Sequence, residues 1–127
     1  MTSLTSSKKP REQRKARYEA PLHMRHCLMA VHLAKELREK LKTKRRNLPV
    51  REGDRVKIMR GGHRGKSGKV TNVDIRHGKV FVEGVVIKRG KGGEAFIPIE
   101  PSNLMLIEAG MSDKMRNRIL ERSKKIE

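Results

Sequence analysis

"REGDRVKIMRGGHRGKSGKVTNVD", residues 51–74, decides how this chain folds. Polar and apolar residues alternate through Arg55, Val56, Lys57 and Ile58, the period of a strand with one buried face. A second strand is expected from Gly68 to Ile75, so the stretch reads as two strands joined by a loop. That loop spaces Gly61, Gly62, Gly65 and Gly68 among Arg60, His63, Arg64, Lys66 and Lys69. Glycine allows tight turns and close approach of backbone to a ligand, and cationic side chains around such a loop suit phosphate. A bare hairpin turn would explain the glycines but not five cationic or ionisable side chains in ten residues.

Two other glycine-loop readings fail on position. Gly65-Lys66-Ser67 looks like the end of a Walker A loop, but that pattern needs a glycine where Arg60 stands. "GHRG" (62–65) mimics the GXXG clamp of KH domains, yet that clamp joins two helices and the flanks here are strands.

Further strands are expected at "KVFVEG" (79–84), "VVIKRG" (85–90), "EAFIPI" (94–99) and "NLMLIE" (103–108). Val plus Ile number two in residues 1–50, thirteen in 51–110 and two thereafter, which puts the sheet in the middle. Short strands with Gly-rich turns inside about sixty residues predict a mainly β fold, a small antiparallel barrel over 51–110. The second loop, "IKRGKGG" (87–93), repeats the basic recipe with Lys88, Arg89 and Lys91. Phe81 and Phe96 fall within strand patterns and are expected in the core, which argues against recognition by base stacking and for electrostatic reading of folded RNA.

Residues 1–50 read as a basic extension. Residues 6–18 offer almost nothing to bury and are expected to be extended or fractionally helical in isolation, ordering on RNA. From Pro21 to Leu41 a short amphipathic helix is expected, since Leu33, Leu37 and Leu41 recur every four residues, with Pro49 preventing continuation. Residues 111–127 predict a short basic helix, capped by Ser112 or Asp113, with Met115, Ile119 and Leu120 on one face.

The chain has 32 Lys plus Arg against 14 Asp plus Glu, a net charge of +18. The charge is +10 in residues 1–50, +5 in 51–110 and +3 beyond. Such an excess repels itself in a compact monomer and releases counterions when a polyanion binds, so nucleic acid is the expected partner. There is no apolar run long enough for a membrane span and no secretory leader pattern, and an intracellular, cytoplasmic protein is expected. His23, His26 and Cys27 share a helical face, but no fourth ligand stands at a zinc-like spacing, so neither metal nor cofactor is expected. No nucleophile elbow, carboxylate pair or Cys-His signature marks an enzyme, and no small-molecule substrate is expected.

Gly53-Asp54, Val56 and Ile58, Gly61, Arg64-Gly65, Gly68, Val70 and Val73 together resemble the KOW motif of ribosomal proteins and NusG-type transcription factors, which lies within an SH3-like barrel. "VEGVVIKR" (82–89) and "IEPSNLMLIE" (99–108) are similar to later strands of the KOW-bearing universal L24 family of the large ribosomal subunit. "KKPREQRKARYEAPLHMRHCLMAVHLAKELREK" (8–40) resembles the N-terminal extension of its archaeal and eukaryotic type, and the length is most like the archaeal one. Gly62, where a polar residue is expected, and Arg64, where lysine is commoner, depart from the pattern without changing its charge.

The resemblance implies a monomer within the ribosome that binds large-subunit ribosomal RNA directly near its 5′ end. It also implies help in initiating subunit assembly, a place by the polypeptide exit tunnel and neighbouring large-subunit proteins as partners. RNA contact is carried onto Arg60, His63, Arg64, Lys66 and Lys69, and onto Lys8, Lys9, Arg11, Arg14, Lys15, Arg17, Arg25, Lys44, Arg45 and Arg46 of the extension. A transcription-associated KOW module is the alternative, though residues 1–50 are too short for the domain that precedes such modules. A generic basic nucleic-acid-binding protein is the other.

Overall fold

The computed structural model describes residues 4–124. Two helices come first, α1 (Pro10–Glu19) and α2 (Leu22–Leu28), followed by β1 (Ala30–Leu33), α3 (Lys35–Lys40) and β2 (Asn47–Pro49). Strands β3 (Arg55–Ile58), β4 (Ser67–Asp74), β5 (Lys79–Val82), β6 (Val86–Lys88) and β7 (Glu94–Phe96) follow. A 3-10 turn (Pro101–Asn103), β8 (Leu104–Glu108) and α4 (Lys114–Glu121) complete the order.

Six strands form one sheet in the order β2-β1-β8-β3-β4-β5, and β6 and β7 form a separate hairpin. The sheet curls into a barrel because the chain after β7 returns to β5. Val80 and Ile99 exchange both backbone hydrogen bonds, at 2.8 and 2.9 Å, and the same segment then runs through the 3-10 turn into β8. Alternation sets the interior: Val56 and Ile58 of β3, Val80 and Val82 of β5, and Leu104 and Leu106 of β8 are all buried while their neighbours face outward. The strand-built barrel and the C-terminal helix are those expected from the sequence.

Three expectations need correction. The helix expected over Pro21–Leu41 is interrupted by β1, which pairs parallel with β8 (His32 with Met105, Leu33 with Leu106) and antiparallel with β2. The sheet is therefore mixed, not wholly antiparallel. Burial explains the change: Val31 and Leu33 alternate with period two and are buried beside Leu106, so Leu33 serves the strand while Leu37 alone of the leucine stripe is fully buried by α3. Lys42, in the left-handed conformation at φ 46°, ends α3.

Second, the basic segment expected to be extended or fractionally helical in isolation forms a regular helix from Pro10 onward, with residues 4–9 outside it. α1 has Pro10 in its first turn and Glu12 near its N-terminus, both favourable there, and it buries no residue. Third, Phe96 is not in the core but 50% exposed, because β6 and β7 pair only with each other. Phe81 is half-buried.

The β4–β5 turn carries a short local network. Asp74 accepts the His77 backbone N–H at 3.1 Å, and its carboxylate lies 2.6 Å from His77 Nδ1. The bonds from the His77 side chain and backbone hold the Asp74 carboxyl below the usual aspartate range. A depressed carboxylate stabilises the folded state above its unfolded pKa, and that contribution disappears as pH falls through the folded value. Carboxyl-detected NMR should find Asp74 titrating below the ordinary aspartate range, and His77→Ala should return it toward that range.

Candidate nucleic-acid interface

The loop between β3 and β4 is fixed from within by its own backbone. Gly65 N–H donates to Ile58 O and Ile58 N–H to Lys66 O, each at 2.8 Å, so the loop closes like the end of a ladder. Inside it, Arg64 N–H reaches Gly61 O and Lys66 N–H reaches His63 O, both at 3.2 Å, and Met59 N–H is tied to Asn103 O at 2.8 Å. Gly61 and Gly65 have φ of 95° and 89°, which a side chain would strain. The predicted cations therefore stand on a defined backbone.

Arg60, Arg64, Lys66 and Lys69 are exposed and His63 is half-buried. None of these five side chains has a hydrogen-bond or ion-pair partner among the described residues. Three other cations of the barrel are paired: Arg51 meets Asp113 at 2.6 Å, Lys79 meets Glu100 at 3.0 Å and Arg55 meets Glu108 at 3.7 Å. The loop and the start of β4 thus group uncompensated positive charge on a fixed backbone, the arrangement an anionic ligand would need.

The second basic loop forms the tip of the β6–β7 hairpin. Arg89 N–H bonds Gly93 O at 3.0 Å and Gly92 N–H bonds Arg89 O at 3.1 Å, leaving Lys88, Arg89 and Lys91 exposed and unpaired among the described residues. Glu83, three residues before β6, donates its N–H to Lys69 O at 2.9 Å, so the hairpin is rooted beside the first loop. Ile87 is 58% exposed and, like Phe96, is left uncovered by the hairpin.

In the extension Lys8, Lys9, Arg11, Arg14 and Arg17 are exposed and unpaired among the described residues, as are the side chains of Lys44, Arg45 and Arg46. Lys15 lies 4.0 Å from Glu19. Arg25 has a different setting: its guanidinium donates to the carbonyls of Ala20 (2.7 Å), Arg76 (3.4 Å) and Tyr18, joining the end of α1 to the β4–β5 turn. Cys27 Sγ bonds the His23 carbonyl at 3.5 Å.

Asp54, which opens the KOW-like stretch with Gly53, is a buried ion-pair partner. Arg116 of α4 donates Nη1 to Asp54 Oδ1 at 2.7 Å and Nη2 to Oδ2 at 2.6 Å, and both groups are essentially inaccessible. Arg51 N–H and Gly110 N–H complete the carboxylate, each at 2.9 Å, and Arg116 also donates to Gly110 O (2.9 Å) and Pro49 O (2.8 Å). All the charge is thus met by hydrogen bonds, which is what burial of an ion pair requires. Met115, expected on the buried face of α4, is 55% exposed because Arg116 turns that face toward Asp54. Asp113 caps the helix, accepting from Met115 N–H at 3.0 Å.

Comparison with known proteins shows what this barrel is. A family model that describes the eukaryotic L26 and archaeal L24 ribosomal proteins matches residues 7–123, the two helices, the barrel and α4 alike. The chain belongs to this ribosomal-protein family. It is 48% identical over 116 residues to the "Large ribosomal subunit protein uL24" of Methanosphaera stadtmanae, an alignment covering 91% of this chain and 97% of that protein. As a member of the family, the chain is a structural constituent of the large ribosomal subunit. No helix among the described residues is long and apolar enough to cross a membrane.

Proposed function

We propose that the chain binds large-subunit ribosomal RNA directly, near the 5′ end of that RNA, and there helps to initiate assembly of the subunit beside the polypeptide exit tunnel. The observation that carries the RNA contact is the group of exposed, unpaired cations Arg60, Arg64 and Lys66 on a hydrogen-bonded loop, with Lys69 of β4 beside them. Preorganised cations meet phosphates without first losing a protein partner. The placement near the 5′ end and the exit tunnel, with neighbouring large-subunit proteins as partners, rests on the family resemblance.

In this reading the barrel and the extension do different work. The KOW loop and the hairpin tip, rooted side by side, dock as a rigid unit, and the cations of α1 neutralise phosphates between RNA helices where a barrel does not fit. α1 buries none of its residues, so deletion of residues 1–17 should leave the barrel folded while weakening RNA binding and reducing its salt dependence. Circular dichroism and salt-resolved binding check both halves. Unfolding of the shortened chain would make the extension structural and overturn the division.

Lysine acetylation of the protein, free and bound to a 5′ fragment of large-subunit ribosomal RNA, tests the reading by residue. Lys66, Lys69, Lys88 and Lys91 should be protected by RNA, whereas Lys79, already paired with Glu100, should change little. Uniform protection of all lysines would indicate coating by nonspecific charge.

A further inference from the structure

Residues 43–46 and 122–124 lie about eighty positions apart in sequence and side by side in the fold. Thr43 is 1% exposed, and its hydroxyl lies 3.0 Å from Ser123 Oγ and 3.4 Å from the Ser123 carbonyl. Lys44 N–H donates to Ser123 O at 2.9 Å, and Thr43 forms an antiparallel bridge with Lys124. The strap is held at its other end as well, where Arg46 O accepts from Leu33 N–H of β1 at 2.9 Å.

Burying Thr43 leaves only charged side chains outside. Lys44, Arg45 and Arg46 are exposed on the strap, and Arg122 and Lys124 are exposed on the segment that clasps it. Arg122 Nε donates to Arg118 O at 3.3 Å, which orients the guanidinium and leaves its two Nη groups free to donate. None of the five has a carboxylate within ion-pairing distance among the described residues. Glu121 is the acidic residue within this run, so the charge remains strongly positive. Five like charges held together by a buried threonine cost stability through repulsion, and an anion that binds there removes that cost.

We infer that the clasp of residues 43–46 by residues 122–124 builds a second, preformed phosphate-binding surface, in which Arg122 and Lys124 at the end of α4 act together with Lys44, Arg45 and Arg46. Its ligand is the phosphate backbone of structured RNA. The inference rests on the RNA-binding reading above and extends it to the C-terminal helix. α4 then has two tasks: Arg116 locks it to the barrel at Asp54, and its last turn holds and completes the basic strap.

The test is a double variant of the full chain, Arg122→Gln with Lys124→Gln, measured against the wild type on the 5′ large-subunit ribosomal RNA fragment and on a scrambled structured RNA across salt. Both residues are exposed, so folding is preserved. Loss of two phosphate contacts should flatten the slope of log K against log salt by about 1.4–1.8. The wild type's advantage should then be roughly tenfold greater at about 50 mM than at about 200 mM salt. An unchanged slope would overturn the inference and assign these cations to a protein neighbour.

Thr43→Val, which keeps every charge and removes the hydroxyl clasp, should lower affinity while circular dichroism shows the barrel intact. Retained affinity would overturn the claim that the clasp positions the strap. Failure of the wild type itself to prefer the ribosomal fragment would count against the function proposed above and not against this surface.

Discussion

Replacing Arg116 by methionine should destabilise the fold by about 3–5 kcal/mol, the usual consequence of leaving one partner of a buried ion pair behind. Asp54 would keep the two backbone N–H groups of Arg51 and Gly110 but lose both guanidinium bonds, at 1% exposure. The carbonyls of Pro49 and Gly110 would lose a donor at the same time. Arg116 is bonded to β2, to the start of β3 and to the chain leaving β8, so its loss loosens three segments together. Adding Asp54→Asn to Arg116→Met removes the stranded charge, and the double variant should be more stable than the sum of the two single losses predicts. Urea unfolding of the four proteins measures the cycle. A single-variant loss below about 1 kcal/mol would mean that the pair is solvated and does not anchor α4.

Gly68→Ala should cost about 3 kcal/mol, at the upper end of what overpacking does. A Cβ there would lie 2.6 Å from Glu83 O and 2.8 Å from Val82 Cγ1. The carbonyl cannot rotate away, because Glu83 N–H is already bonded to Lys69 O and Gly68 is in register with Val56 of β3. β4 would have to move away from β5, shifting the end of the basic loop with it, so RNA affinity should fall along with stability. Gly62→Ala is the control: no atom lies within 4 Å of its added Cβ and its φ is not positive, so stability should stay within about 0.5 kcal/mol. The polar residue expected at Gly62 would fit there equally well. Equal effects at Gly62 and Gly68 would contradict this account of the loop.

Much of the barrel was legible because its signals are local. Alternation at Val56 and Ile58, the glycines of the first loop and the β-branched residues of β4 and β5 each specify conformation within a few residues. β1 was not legible, since Leu33, Leu37 and Leu41 carry a helical spacing and only the presence of β8 makes an extended Val31 and Leu33 the better burial. Phe96 misled for the opposite reason: its strand pattern is real, but β6 and β7 do not join the main sheet. Arg116 had no sequence signal at all, because a buried arginine is recognised by the carboxylate it meets, and Asp54 is sixty-two residues away.

The proposed RNA interface was legible as charge and not as geometry. Composition and spacing pointed to Arg60, Arg64, Lys66 and Lys69 as candidates, but only the fold separates these unpaired cations from Arg51, Arg55 and Lys79, which are already paired. Arg25 illustrates the difference, since its guanidinium joins α1 to the β4–β5 turn through backbone carbonyls. Arg122 and Lys124 illustrate the reverse, residues whose significance depends on the strap beside them.

The central claim is that this barrel reads ribosomal RNA through its shape and phosphates together. Equilibrium binding of the full chain to a 5′ large-subunit ribosomal RNA fragment, a scrambled structured RNA and duplex DNA, each across salt, tests it most directly. Phosphate contact alone makes all three affinities fall together as salt rises. The account predicts a preference for the ribosomal fragment that persists at high salt. Equal affinity for all three at every salt concentration would contradict it, leaving a basic protein without RNA specificity of its own.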